Sequence, residues 1–126
     1  MTAEIIKNML IVGAGSFIGG GARYLVSAAM KSTGCAFPWA TLTANLLGCL
    51  AIGLIGGFLS RTANEGGAAT LFLAMGVCGG FTTFSTFSKE TLAMLQSGNF
   101  WGAISYIAAS AAAGVMLTAL GYRLSA

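Results

Sequence analysis

Histidine is absent from this chain, which removes the usual raw material for zinc sites, proton relays and catalytic dyads. Acids are almost as scarce, since Glu4, Glu65 and Glu90 are the whole set. No plausible base or metal site remains, so the composition argues against an enzyme. Charge of either sign covers only 7% of residues, against about 25% in a soluble domain. The net charge of +3 is scattered over Lys7, Arg23, Lys31, Arg61, Lys89 and Arg123, roughly one per element end, which excludes a nucleic-acid footprint. Cysteine is limited to Cys35, Cys49 and Cys78, an odd number with two inside apolar stretches. They read as small apolar fillers and not as a disulfide framework.

What is present is hydrocarbon. Of the 126 residues, 56% are hydrophobic, in four apolar stretches at about 9–30, 41–59, 70–87 and 100–122. Each approaches or exceeds the roughly 17–25 residues that cross about 30 Å of bilayer core. The expected architecture is an all-α membrane protein, a single four-helix transmembrane domain over 1–126 with the lipid bilayer as its surroundings. The first stretch is too long for a cleaved signal peptide and continues past Arg23, and Glu4 and Lys7 give no clear basic leader.

With four spans, Lys7, Arg61 and Arg123 fall on one side; Lys31 and Lys89 fall on the other, with Arg23 about two turns inside the same half. Orientation normally follows the Lys/Arg bias of short loops. A tally of three against two, or three against three if Arg23 counts, predicts insertion in both senses, unless Lys7 alone orients every copy. Glycine, at 19 residues, includes the pairs Gly15/Gly19, Gly53/Gly57 and Gly76/Gly80, whose GxxxG spacing lets helices approach closely. Four helices are too few to enclose both a core and a hydrated pore, so oligomerisation is expected. Two copies in opposite senses would close as a twofold dimer.

The run Gly76 to Phe87 carries the chemistry. Two adjacent glycines weaken the helix, Thr82, Thr83, Ser85 and Thr86 follow, and phenylalanines recur at 81, 84 and 87. Irregular backbone at membrane depth survives only when buried in protein or lining a cavity. A helix break is therefore expected near Gly79–Thr82, where unwound carbonyls would be hard oxygen ligands for a structural cation. Phe84 and Phe87 share a face. Such a pair is most often packing, but beside hydroxyls its electropositive ring edges could solvate a small anion. Conduction favours weak donors over a full charge, because the ion must also leave.

Further candidates carry two readings each. Asn45, at mid-span with Thr41 one turn away, is either an interhelical hydrogen bond or an amide donor to an anion path. Tyr106 and Ser110 put two hydroxyls on one face of the fourth span, as packing or as path. Arg23 either snorkels to the interface or makes a vestibule electropositive. Glu90 either sits at a pore mouth or marks a solvated helix end.

Together, Gly20-Gly21-Ala22-Arg23-Tyr24, Asn45-Leu46-Leu47-Gly48 and Gly79-Gly80-Phe81-Thr82-Thr83-Phe84-Ser85-Thr86-Phe87 resemble the Fluc (CrcB-type) fluoride channels over essentially the whole chain. The resemblance implies a dual-topology antiparallel homodimer in a bacterial plasma (inner) membrane, with two fluoride pores and a central sodium ion. It implies that Phe84 and Phe87 line the pores, with Asn45, Ser85 and Thr86 beside the path and Tyr106 and Ser110 on the polar track of the fourth span. Glu90 corresponds to a vestibule acid, and the backbone carbonyls of Gly79 and Thr82 to sodium ligands. One departure is Gly114, where a further hydroxyl would be expected one turn on. The implied role is passive export of cytoplasmic fluoride, hence fluoride resistance. Two rivals are a small four-helix multidrug exporter, which needs a carboxylate within a span, and a non-transporting accessory subunit, which leaves the hydroxyl–phenylalanine run unexplained.

Overall fold

Four long helical segments make up the chain. A computed structural model describes residues 1–31, 37–63 and 66–126; Cys35 and Glu65 lie outside the described residues. Helix α1 spans Thr2–Met30 and α2 Trp39–Thr62. The third segment, Thr70–Gln96, is composite. A π-helical stretch, Thr70–Cys78, leads into a single α turn, α3 (Gly79–Phe81), and the chain re-forms as α4 (Phe84–Gln96). Helix α5 is Phe100–Ser125. All four segments are long and apolar enough to cross a membrane.

The outward-facing residues fit that solvent. Phe17, Leu25, Val115 and Met116 are exposed, and the one cluster of buried side chains among the described residues is Leu42, Met94, Ala103 and Tyr106, with Phe37, Leu46 and Phe87 packed against it. An apolar exterior of this kind is stable only where the surroundings are hydrocarbon.

The segments pack as two pairs, α2 with α5 and α1 with the first half of the third segment. Glycine is required at both seams. A Cβ at Gly53 would run into the Thr118 carbonyl, and one at Gly76 would stand 2.9 Å from the Gly15 Cα. Backbones approach here with no side chain between them, which is how helices gain contact in lipid.

The break in the third segment falls at its expected place but is narrower. Gly79 and Gly80 are still helical, and only Thr82 (φ −88°, ψ 159°) and Thr83 (φ −150°, ψ 118°) are extended. Beyond it, α4 continues well past the expected end at Phe87, through Lys89 and Glu90 to Gln96. The break accounts for the added length. A helix that restarts at mid-membrane needs a further run of residues at 1.5 Å each to reach the interface. It stops at Gly98, whose φ of +82° suits glycine, with the Asn99 amide bonding back to the Met94 carbonyl at 2.8 Å. Asn99 then caps α5, its Oδ1 accepting from the Gly102 amide at 3.0 Å.

Candidate functional site: a groove at the helix break

Asn45 projects from α2 onto the break and grips one residue twice. Its Oδ1 accepts from the Thr83 amide at 2.8 Å, and its Nδ2 donates to the Thr83 carbonyl at 3.1 Å. In a continuous helix the Thr83 amide would bond to the Gly79 carbonyl. Asn45 takes that donor and so holds the break open. The carboxamide therefore serves the interhelical reading directly, while also lining the groove described below.

Thr83 was not singled out in the sequence, although it organises the start of α4. Its Oγ1 accepts from the Thr86 amide at 3.2 Å, donates to the Thr86 hydroxyl at 3.1 Å and lies 3.4 Å from the Ser85 hydroxyl. A threonine three residues ahead of a second hydroxyl, just after a glycine pair, is an N-cap signature that could have found it. Ser85 and Thr86 are thus gathered around the cap. The N-terminal end of α4, with its partial positive charge, opens at the break.

On the opposite side Arg23 reaches from α1 to the same break. Its Nε donates to the Gly80 carbonyl at 3.3 Å, a favourable place for a cation at the C-terminal end of α3. Arg23 is half-buried.

A groove of about 880 Å³ runs along the break. It brings together Asn45, Gly79, Thr82, Phe84, Phe87 and Ser110 from the candidate set, leaves Ser85 and Thr86 off its wall, and adds Cys49 from α2. Phe84 is 78% exposed, and its ring centroid lies 5.6 Å from that of Phe87. Phe87 leans the other way, 4.9 Å from the Tyr106 ring. The Ser110 Oγ is buried and has no hydrogen-bond partner among the described residues. An unpaired buried hydroxyl costs about 1–3 kcal/mol, which sets Ser110 apart from the other polar side chains of the groove.

Thr41, Tyr106 and Glu90 form a separate cluster behind Phe87. Tyr106 is fully buried and its hydroxyl donates to Glu90 Oε1 at 3.1 Å, with the buried Thr41 beside it. Glu90 stands in the interior of α4 and not at a helix end, because the helix runs on to Gln96.

At the break the chain could offer a cation neutral oxygen donors only. No group of three or more His, Cys, Asp or Glu side chains gathers among the described residues. The carbonyl of Gly79, relieved of the Thr83 amide, is a neutral oxygen donor, and Thr82 is extended with its hydroxyl already given to the Cys78 carbonyl at 3.0 Å.

Residues 10–122 match the family described as CrcB-like protein, Camphor Resistance (CrcB). The chain belongs to the CrcB family. Among its relatives is the fluoride-specific ion channel FluC of Thermus thermophilus, 46% identical over 123 residues, which cover 94% of each chain. The protein of that name from Prosthecochloris aestuarii is 41% identical over 97% of this chain and 95% of its own. That from Clostridium perfringens is 44% identical over 92% and 91%. The family match settles against the exporter, which the position of Glu90 inside α4 would not have done. CrcB membership and four membrane-length helices make this an integral protein of a bacterial inner membrane.

Proposed function

We propose that this CrcB-family chain is a passive, fluoride-selective channel that releases cytoplasmic fluoride and so confers resistance to it. The carrying observation is the buried, unpartnered Ser110 hydroxyl in a groove lined by Phe84 and Phe87. A small anion needs donors that replace its water, yet a full positive charge would trap it. Ser110 offers a free O–H, the phenyl edges offer partial positive charge, and the open N-terminus of α4 adds a dipole of the same sign. Arg23 bonds to the Gly80 carbonyl, and among the described residues no Lys or Arg lines the groove. Asn45 keeps the break in register, while Ser85 and Thr86 support its N-cap and stand beside the route. The Thr41–Tyr106–Glu90 cluster backs Phe87 and sets its ring angle.

Fluoride enters cells as the uncharged acid when the surroundings are acidic, and it is trapped on dissociation in a near-neutral cytoplasm. An open route for the anion is enough to empty it. No energy coupling is needed.

The working unit is an antiparallel homodimer with two routes. The nearly even Lys/Arg tally and the 78% exposure of Phe84 in a single chain support this reading. A sodium ion held by the Gly79 and Thr82 carbonyls of both copies would supply positive charge between the two breaks and tie them together.

Purified protein in liposomes tests the reading. Fluoride loaded inside should leave when an ionophore balances the charge, as followed with a fluoride electrode. Retention of fluoride at the rate of empty liposomes would overturn it.

A further inference from the structure

On α5, residues 106, 110, 114 and 118 recur every fourth position and share a face. Tyr106 gives its hydroxyl to Glu90, and the Thr118 hydroxyl lies 3.1 Å from the Cys49 carbonyl and 3.0 Å from the Gly114 carbonyl. Both ends of the stripe are therefore spent within the protein. Between them stand Ser110, whose buried oxygen has no partner, and Gly114, which has no side chain at all.

The space above Gly114 is nevertheless filled. The Sγ of Cys49 lies 3.2 Å from the point where a Gly114 Cβ would stand. Cys49 is a free thiol, partly accessible, and it lines the same groove as Ser110, Asn45 and Phe87. The hydrogen bond from Thr118 to its carbonyl fixes the stretch of α2 that carries it.

We infer that Cys49 is a path residue: its S–H stands in for the side chain Gly114 lacks and, in the same groove as Ser110, gives the moving anion a second donor. This rests on the channel reading above. A thiol is a weaker donor than a hydroxyl, which suits a position that must release the ion quickly. Its other consequence is chemical. A thiol facing the route is open to small sulfhydryl reagents, so covalent modification of Cys49 closes the path.

The test measures fluoride flux per assembled protein in liposomes for wild type, Cys49→Ala, Cys49→Ser and the pair Cys49→Ala/Gly114→Ser. Cys49→Ala should lower flux about fivefold, the size expected for one lost neutral hydrogen bond. Cys49→Ser should stay close to wild type. The double variant should recover, since truncating Cys49 clears room for a hydroxyl on α5. In a second arm, reconstituted wild type is treated with methyl methanethiosulfonate and the labelled cysteine is identified by peptide mass mapping. There the thiolate attacks the reagent's sulfenyl sulfur, an S–S bond forms, methanesulfinate leaves and the thiol proton goes to water. Label at Cys49 should accompany loss of flux. Wild-type flux in Cys49→Ala, equal losses in the alanine and serine variants without rescue, or full flux with Cys49 labelled would each overturn the inference. A wild type that carries no fluoride overturns the channel reading instead, and the labelling arm still reports whether Cys49 faces water.

Discussion

Replacing Asn45 with Ala removes both hydrogen bonds to Thr83. The Thr83 amide and carbonyl then lie in an apolar bundle without their partner. At about 1–3 kcal/mol per unsatisfied group the gross cost would be ~2–6 kcal/mol. Some of it is recovered, because the freed amide can bond to the Gly79 carbonyl and heal the helix. Interhelical hydrogen bonds in membranes average about 0.6 kcal/mol with a maximum of about 1.7. A net loss of about 1–2 kcal/mol is therefore expected. Healing also turns Thr82 and Thr83 into the helical conformation, which rotates Phe84 and everything after it. Unfolding in mixed detergent, followed by circular dichroism, should show the loss of stability with helix content held or slightly raised. Fluoride flux per assembled protein should fall at least tenfold. Stability within about 0.3 kcal/mol of wild type together with full flux would refute the idea that Asn45 holds the break.

Three further outcomes follow from the packing. Phe84→Ile and Phe87→Ile should both cut fluoride flux steeply. Phe87→Ile should lose more stability than Phe84→Ile, by about 0.5–1.5 kcal/mol, because its ring packs on Tyr106 as well as on the other phenylalanine; wild-type flux in both would assign the pair to packing. Gly53→Ala places a Cβ on the Thr118 carbonyl and should destabilise the α2–α5 seam by about 1–3 kcal/mol, whereas Gly20→Ala, with open space around it, should be neutral in the same unfolding assay. A C-terminal tag should be reachable from both sides of the membrane in comparable amounts. Labelling from one side alone would show that Lys7, Arg61 and Arg123 are enough to orient the chain.

The spans were legible because composition alone specifies them: a run of twenty apolar residues has no other stable use. The break was legible for the same reason, since Gly-Gly followed by hydroxyls contradicts its apolar setting. Its width was not. Glycine at 79 and 80 lowers helix propensity, yet the helix persists there because Gly80 is pressed against the Ser16 backbone, and the residue that ends it is Asn45, thirty-eight positions from Thr83. No local pattern encodes such a contact. The true length of α4 was hidden because Lys89 and Glu90 read as an interface, while one of them is answered by a tyrosine from another helix. Cys49 read as filler. Its position over Gly114 depends on the register of two helices, which only their packing fixes.

Selectivity is the core of the account. In a planar bilayer with equal concentrations of fluoride on one side and chloride on the other, the current through the reconstituted protein should reverse at a strongly displaced potential, of the sign that holds fluoride back on its own side (the fluoride side positive). A reversal near zero, with the two halides carrying comparable current, would contradict it.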